Sequence, residues 1–114
     1  MKHVSLAALP IKEVSHNPLI KKQMMIGFDE LKPLTQFARA VLPPGECAPG
    51  HAHDNMAEVF YVEKGKGNMR INGVDYPFAQ GECITVQPGE VHELSNPSPE
   101  EFIVLYFGVI VFDR

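Results

Sequence analysis

Five histidines occur in the 114 residues, and three of them fall where an extended chain can bring them together. His51 and His53 are two positions apart, so in a strand both imidazoles point to the same side. Glu58 follows after a four-residue connection, on the same alternating face as Phe60 and Val62, and His92 comes 34 residues later near the start of another expected strand. Three imidazoles and one carboxylate around a cavity make a site for a divalent first-row metal. Neutral imidazole suits Fe, Ni, Cu, Zn or Co, and the carboxylate keeps Mn and Fe(II) in play. With four protein ligands an octahedral ion retains two open positions, and its charge is only partly cancelled by Glu58. Such a cationic centre suits a chelating anion or an O₂-derived ligand. Each residue alone also has an ordinary reading: His-x-His as a surface or satisfied core pair, Glu58 as a solvated charge at a strand end.

The elements that must position these side chains are short strands. Ten prolines and nine glycines break the chain often, which favours strands and tight turns over long helices. Thr35 to Leu42 alternates Phe37, Arg39 and Val41 with Gln36, Ala38 and Ala40, and Pro43-Pro44-Gly45 then forces a turn. Glu58 to Glu63 is a compact strand stopped by Gly65 and Gly67. Asn72-Gly73 between two alternating runs is the favoured pair for a two-residue hairpin loop. In that register Ile71 faces Val74, Arg70 faces Asp75 and Met69 faces Tyr76, with the apolar pairs on one face and the ion pair on the other. Glu82 to Val86, Val91 to Ser95 and the run Phe102 to Phe112 complete the series. The last is apolar on both faces, so a sheet or a second subunit must cover each side. Residues 1–34 are the least patterned, with Lys21 to Phe28 as one strand broken near Gly27. They are expected to form an extended arm on a barrel of residues 35–114, or on a partner subunit. About eight short strands in one domain predict an all-β antiparallel sandwich or barrel.

Composition excludes several functions. Hydrophobic residues make up 45% and charged residues 21%, ordinary for a globular domain. The net charge of −4, with no cluster of Lys or Arg, argues against nucleic acid as the partner. The longest apolar run has 11 residues, short of the ~20 a membrane helix needs, so no membrane association is expected. Cys47 and Cys83 are read as small buried hydrophobes, and thiols with no recognisable export signal fit a reducing, cytoplasmic setting. His3 and His16 are expected to be exposed and without function. Met56, Phe60, Met69, Ile71 and Tyr76 are candidates to line a cavity, and Tyr61 points away from it.

The spacing of the motifs carries more than their composition. Residues 45–65 read GECAPGHAHDNMAEVFYVEKG: Gly, five residues, His-x-His, four residues, Glu, six residues, Gly. Residues 81–96 read GECITVQPGEVHELSN, with Gly81, Gly89, His92 and Asn96 at regular offsets. These segments resemble the first and second motifs of the cupin family, separated by a short 15-residue stretch, Lys66 to Gln80. One departure is Gln87 where the family usually has proline, with Pro88 one place later. The resemblance covers 52 residues, Gly45 to Asn96. It implies a double-stranded β-helix, or jelly roll, in which His51, His53, Glu58 and His92 bind a divalent transition metal.

Because one barrel hosts many chemistries, the resemblance implies a range of functions. The first is a metal-dependent enzyme, of dioxygenase, isomerase or decarboxylase type, acting on a small oxygen-bearing anionic metabolite. No separate general base can be assigned from the sequence. The alternative is a non-catalytic cupin that binds or senses a small ligand. The two-sided apolar C-terminal run and the N-terminal arm predict a homodimer.

Overall fold

A computed structural model describes residues 1–111. A short 3₁₀ turn (Leu6–Ala8) precedes ten strands: β1 (Lys12–Val14), β2 (Asn17–Ile26), β3 (Leu34–Leu42), β4 (Cys47–His51), β5 (Met56–Lys64), β6 (Lys66–Ile71), β7 (Val74–Ala79), β8 (Cys83–Val86), β9 (His92–Ser95) and β10 (Phe102–Ile110). They pair antiparallel into two sheets, a six-stranded one in the order β1-β2-β3-β10-β5-β8 and a four-stranded one in the order β4-β9-β6-β7. The core takes Ile20, Leu42, Val62 and Phe102 from the first sheet and Met69, Phe78 and Leu94 from the second, so the sheets close face to face as a jelly-roll barrel.

Two more strands form than the sequence predicts, because β1 and β4 are short and irregular. β4 carries Pro49 and Gly50, which hide any alternation. β2 starts at Asn17 and ends at Ile26, earlier at both ends than the expected Lys21 to Phe28. It hydrogen-bonds along β3, with Lys22 opposite Ala40 and Met24 opposite Ala38, and buries Ile20 in the core. The six-stranded sheet therefore incorporates part of the first 34 residues.

The hairpin forms in the expected register, Met69 opposite Tyr76, Arg70 opposite Asp75 and Ile71 opposite Val74. Asn72 and Gly73 both take positive φ, 48° and 82°, as a type I′ turn requires. Arg70 Nε donates to Asp75 Oδ1 at 2.8 Å on the outer side. The apolar face is only half covered: Met69 is buried, whereas Val74 and Tyr76 are exposed because β7 is the sheet edge.

β10 lies between β3 and β5 in the larger sheet: Phe102 and Val104 point into the core, Ile103 on the opposite face is also buried, and Leu105 and Phe107 beyond it are half-buried. Phe112, the expected end of this run, lies outside the described residues. Among the described residues no helix is long and apolar enough to cross a membrane.

Candidate metal centre

The inner faces of β4, β5 and β9 build the site. β4 and β9 pair with His51 opposite His92. Between Ala48–Leu94 and His51–His92, β4 advances three residues while β9 advances two, so β4 bulges at Pro49–Gly50. A bulge of this kind re-aims the side chain that follows it, here His51. Glu58 opens the inward row Glu58, Phe60, Val62 of β5, and all three are buried.

One ligand atom from each of His51, Glu58 and His92 lies within 4.8 Å of the others, a potential metal-binding triad. The ring centres of His51 and His92 are 4.3 Å apart. His53 stands beside the triad rather than within it: its Nε2 is 3.5 Å from Glu58 Oε1, and its ring centre is 5.0 Å from that of His51. Glu58 and His92 are buried, His53 is half-buried and His51 is exposed at the mouth.

Backbone contacts set the tautomers. His51 Nδ1 lies 3.1 Å from the Pro49 carbonyl, and His92 Nδ1 lies 3.3 Å from the Glu90 carbonyl. A carbonyl only accepts, so each Nδ1 carries the proton and each Nε2 presents its lone pair to the centre. His92 Nε2 then faces Glu58 Oε1 at 3.0 Å, yet without hydrogen-bond geometry, and both atoms are buried with no hydrogen-bond partner. Two acceptors held against each other repel unless a cation stands between them. The donor set of imidazole and carboxylate, oriented by second contacts to backbone, fits a divalent transition metal.

In the metal-free chain a proton relieves the same repulsion. Burial lowers the pKa of His92, but Glu58 and the Glu90 carbonyl more than offset this, and the net shift is upward. For His53 burial wins, and its pKa is lowered despite Glu58. The Tyr106 phenol is pushed up to about 12, first by burial and then by the Glu58 charge, so it stays protonated and can only donate to an anion.

The triad opens into a cavity of about 570 Å³, a common size for a small-molecule site. Met56 and Phe60 line it as the sequence predicts; Met69, Ile71 and Tyr76 do not. Tyr61 is exposed on the far side of β5. Sequence reasoning missed Lys22, Gln36 and Tyr106, all of which line the cavity. The period-two row Gln36, Ala38, Ala40, Leu42 carried a usable signal for Gln36, a polar residue on an otherwise apolar face. His16 is exposed as expected but lies on the rim of this cavity. Neither cysteine is the buried hydrophobe expected. Cys83 is exposed, and half-buried Cys47 donates to Glu93 Oε1 at 2.6 Å.

Comparisons with known proteins agree with this architecture. Residues 38–108 match the family model described as the cupin domain. A glucose-6-phosphate isomerase of Thermococcus gammatolerans is 29% identical over 110 residues, covering 82% of this chain and 57% of that protein. The chain spans 23% to 57% of the length of such curated relatives. Among solved structures, a predicted oxalate decarboxylase from Thermotoga maritima superposes with a TM-score of 0.89 at 22% identity, covering 96% of this chain and all of that one. A sugar phosphate isomerase of the cupin superfamily from Silicibacter pomeroyi superposes at 0.81 and 15% identity, covering 95% of this chain and 75% of that one.

Proposed function

This chain belongs to the cupin family, and from that premise we propose that it is a metal-dependent enzyme acting on a small oxygen-bearing anion. His51, His53, Glu58 and His92 would hold a divalent transition metal, which when bound supplies Lewis acidity toward a carbonyl or enolate oxygen. The observation that carries this reading is the buried pair Glu58 Oε1 and His92 Nε2, 3.0 Å apart and without a hydrogen-bond partner. The chain's own residues do the rest. The Pro49 and Glu90 carbonyls fix the imidazole tautomers, Phe60 and Val104 keep one wall apolar, and Tyr106 keeps its proton as a donor to an anionic oxygen. A relative named as a glucose-6-phosphate isomerase carries the name of an enzyme for a small oxygen-rich anion, which supports this substrate class.

A second reading is binding without turnover: Glu58, which belongs to the metal site, is the one carboxylate among the described residues lining the cavity, which leaves no separate carboxylate base. Elemental analysis of protein purified without chelator, beside Glu58→Gln and His92→Ala, tests the metal. The wild type should carry a stoichiometric transition metal and both variants should lose it; unchanged metal in the variants refutes the reading. O₂ uptake or product formation from small hydroxy and oxo acids separates catalysis from binding. The half-buried outer face of Phe37, Leu105 and Phe107 supports a homodimer, which light scattering checks.

A further inference from the structure

Two adjacent polar side chains near the triad lack partners. Between the pairs Phe107–Phe37 and Val109–Leu34, β10 advances two residues and β3 three, so β3 bulges at Thr35–Gln36 opposite Gly108. Strict alternation would turn one of the two outward. Both are instead buried, each 9% exposed, and neither Thr35 Oγ1 nor Gln36 Oε1 has a hydrogen-bond partner. Buried unsatisfied oxygens are destabilising, and bulges that create them cluster beside functional sites. Gln36 lines the cavity.

On its other side Gly108 pairs with Glu58, so the Thr35–Gln36 bulge and Glu58 flank β10 at the same level. Two strand spacings, about 10 Å, separate the backbones of Gln36 and Glu58. The residue between them has no side chain, and the Thr35 hydroxyl and Met56 Sδ pack where its Cβ would stand.

The inner wall also carries a cation. Lys22 lies opposite the core residue Ala40 and shares its inward face. Lys21, on the outer face, pairs with Glu13 at 3.2 Å, whereas Lys22 meets no carboxylate among the described residues. Burial, and then the charge of Lys12, hold the pKa of Lys22 below the ordinary lysine value, a condition that an incoming anion relieves. Glu58 is the one acid among the described residues that line the cavity.

We propose that Gln36 and Lys22 select the ligand: Gln36 Oε1 accepts a hydrogen bond from a ligand hydroxyl, and the Lys22 ammonium draws an anionic group, so the cavity takes a small hydroxylated anion. This deepens, and rests on, the reading of the cavity as the ligand site of the metal centre.

Four probes of similar size separate the two contributions: tartrate, malate and succinate, which carry successively fewer hydroxyls, and neutral erythritol. Calorimetric titration uses the protein as purified, with its metal content measured in parallel. Hydroxyls also chelate metals, so the variants decide the question. In Gln36→Leu, malate should weaken by about tenfold toward the level of succinate, with succinate unchanged. In Lys22→Met all three acids should weaken by about tenfold. If Gln36→Leu does not fold, Gln36→Glu should repel all three acids. Malate and succinate affinities that match the wild type in both variants overturn the inference, as does erythritol binding as tightly as the acids. Anion binding that depends on both residues in a chain holding no metal would sink the metal reading and leave this one standing. Absent binding of all four probes sinks this one whatever the metal content.

Discussion

Replacing Asn96 with alanine tests whether the scaffold behind the metal centre is held as the structure indicates. Asn96 is 1% exposed and uses its whole amide. Its Nδ2 donates to the Leu42 carbonyl at 2.9 Å and to the Glu100 carbonyl at 2.7 Å. Its Oδ1 accepts from Ser98 N at 3.0 Å and from Ser98 Oγ at 2.8 Å. One side chain thus ties the end of β9, four residues beyond His92, to the end of β3 and to the loop that enters β10. The Leu42 bond is the buried one, and its orphaned carbonyl costs about 1–3 kcal/mol; the partners near the surface regain water, so their loss adds only about 1 kcal/mol. The expected total is about 2–4 kcal/mol, a large part of the ~5–15 kcal/mol that holds a domain of this size. At about 4 °C per kcal/mol the melting temperature should fall by roughly 8–16 °C. Because the chain has three tyrosines and no tryptophan, urea unfolding is best followed by far-UV circular dichroism. Asn96→Asp keeps the acceptor but sets a carboxylate against two carbonyl oxygens, so its folded-state pKa should rise. That variant should be the less stable at neutral pH and recover as the pH falls and the acid protonates. A loss below about 0.5 kcal/mol in Asn96→Ala would refute the reasoning, since no arrangement with a buried, fully used amide is that tolerant.

Other perturbations probe different parts of the molecule. A Cβ at Gly67 would stand 2.6 Å from the Ser95 carbonyl and 2.5 Å from Phe102 Cδ2, a fully buried ring. Gly67→Ala should therefore lose about 3 kcal/mol in thermal melts, and a neutral result would contradict the β6–β9 packing. Burial and the hydrogen bond to Glu93 push the Cys47 thiol up to about 11, whereas Cys83 is exposed. Iodoacetamide should alkylate Cys83 first and Cys47 only on unfolding, as read by peptide mass; equal labelling of the native chain would be inconsistent with this. In the metal-free chain His92 should keep its proton to higher pH than His53 in an NMR titration, because Glu58 and the Glu90 carbonyl outweigh burial only at His92. The raised His92 stabilises the fold below the ordinary value near ~6.5, and that contribution disappears as the pH rises through its folded pKa. The lowered His53 acts oppositely and destabilises as the pH falls below ~6.5. Reversed order of deprotonation would contradict the assigned environments.

Features encoded by neighbouring residues were legible before folding. Asn72-Gly73 specified the hairpin and its register because positive φ at two consecutive positions is a local demand. The placement of Glu58, Phe60 and Val62 on one inward face followed from the period of a strand. The run Phe102–Phe112 signalled a strand with two apolar faces, and β10 forms as a central strand whose outer face, at Leu105 and Phe107, is only half-buried.

What stayed hidden depends on which strands meet. The joining of β2 to β3 places Lys22 on the cavity wall, and nothing within residues 17–26 specifies that partner. The bulges at Pro49–Gly50 and Thr35–Gln36 exist only relative to β9 and β10, since a bulge is a mismatch between two strands. They decide where His51 points and why Gln36 has no partner. Sequence by itself thus determined the residue types, the alternation and the tight turns, all set by torsions a few bonds apart. Only the tertiary structure decided which faces oppose one another, because pairing between strands distant along the chain is fixed by the burial of the whole core.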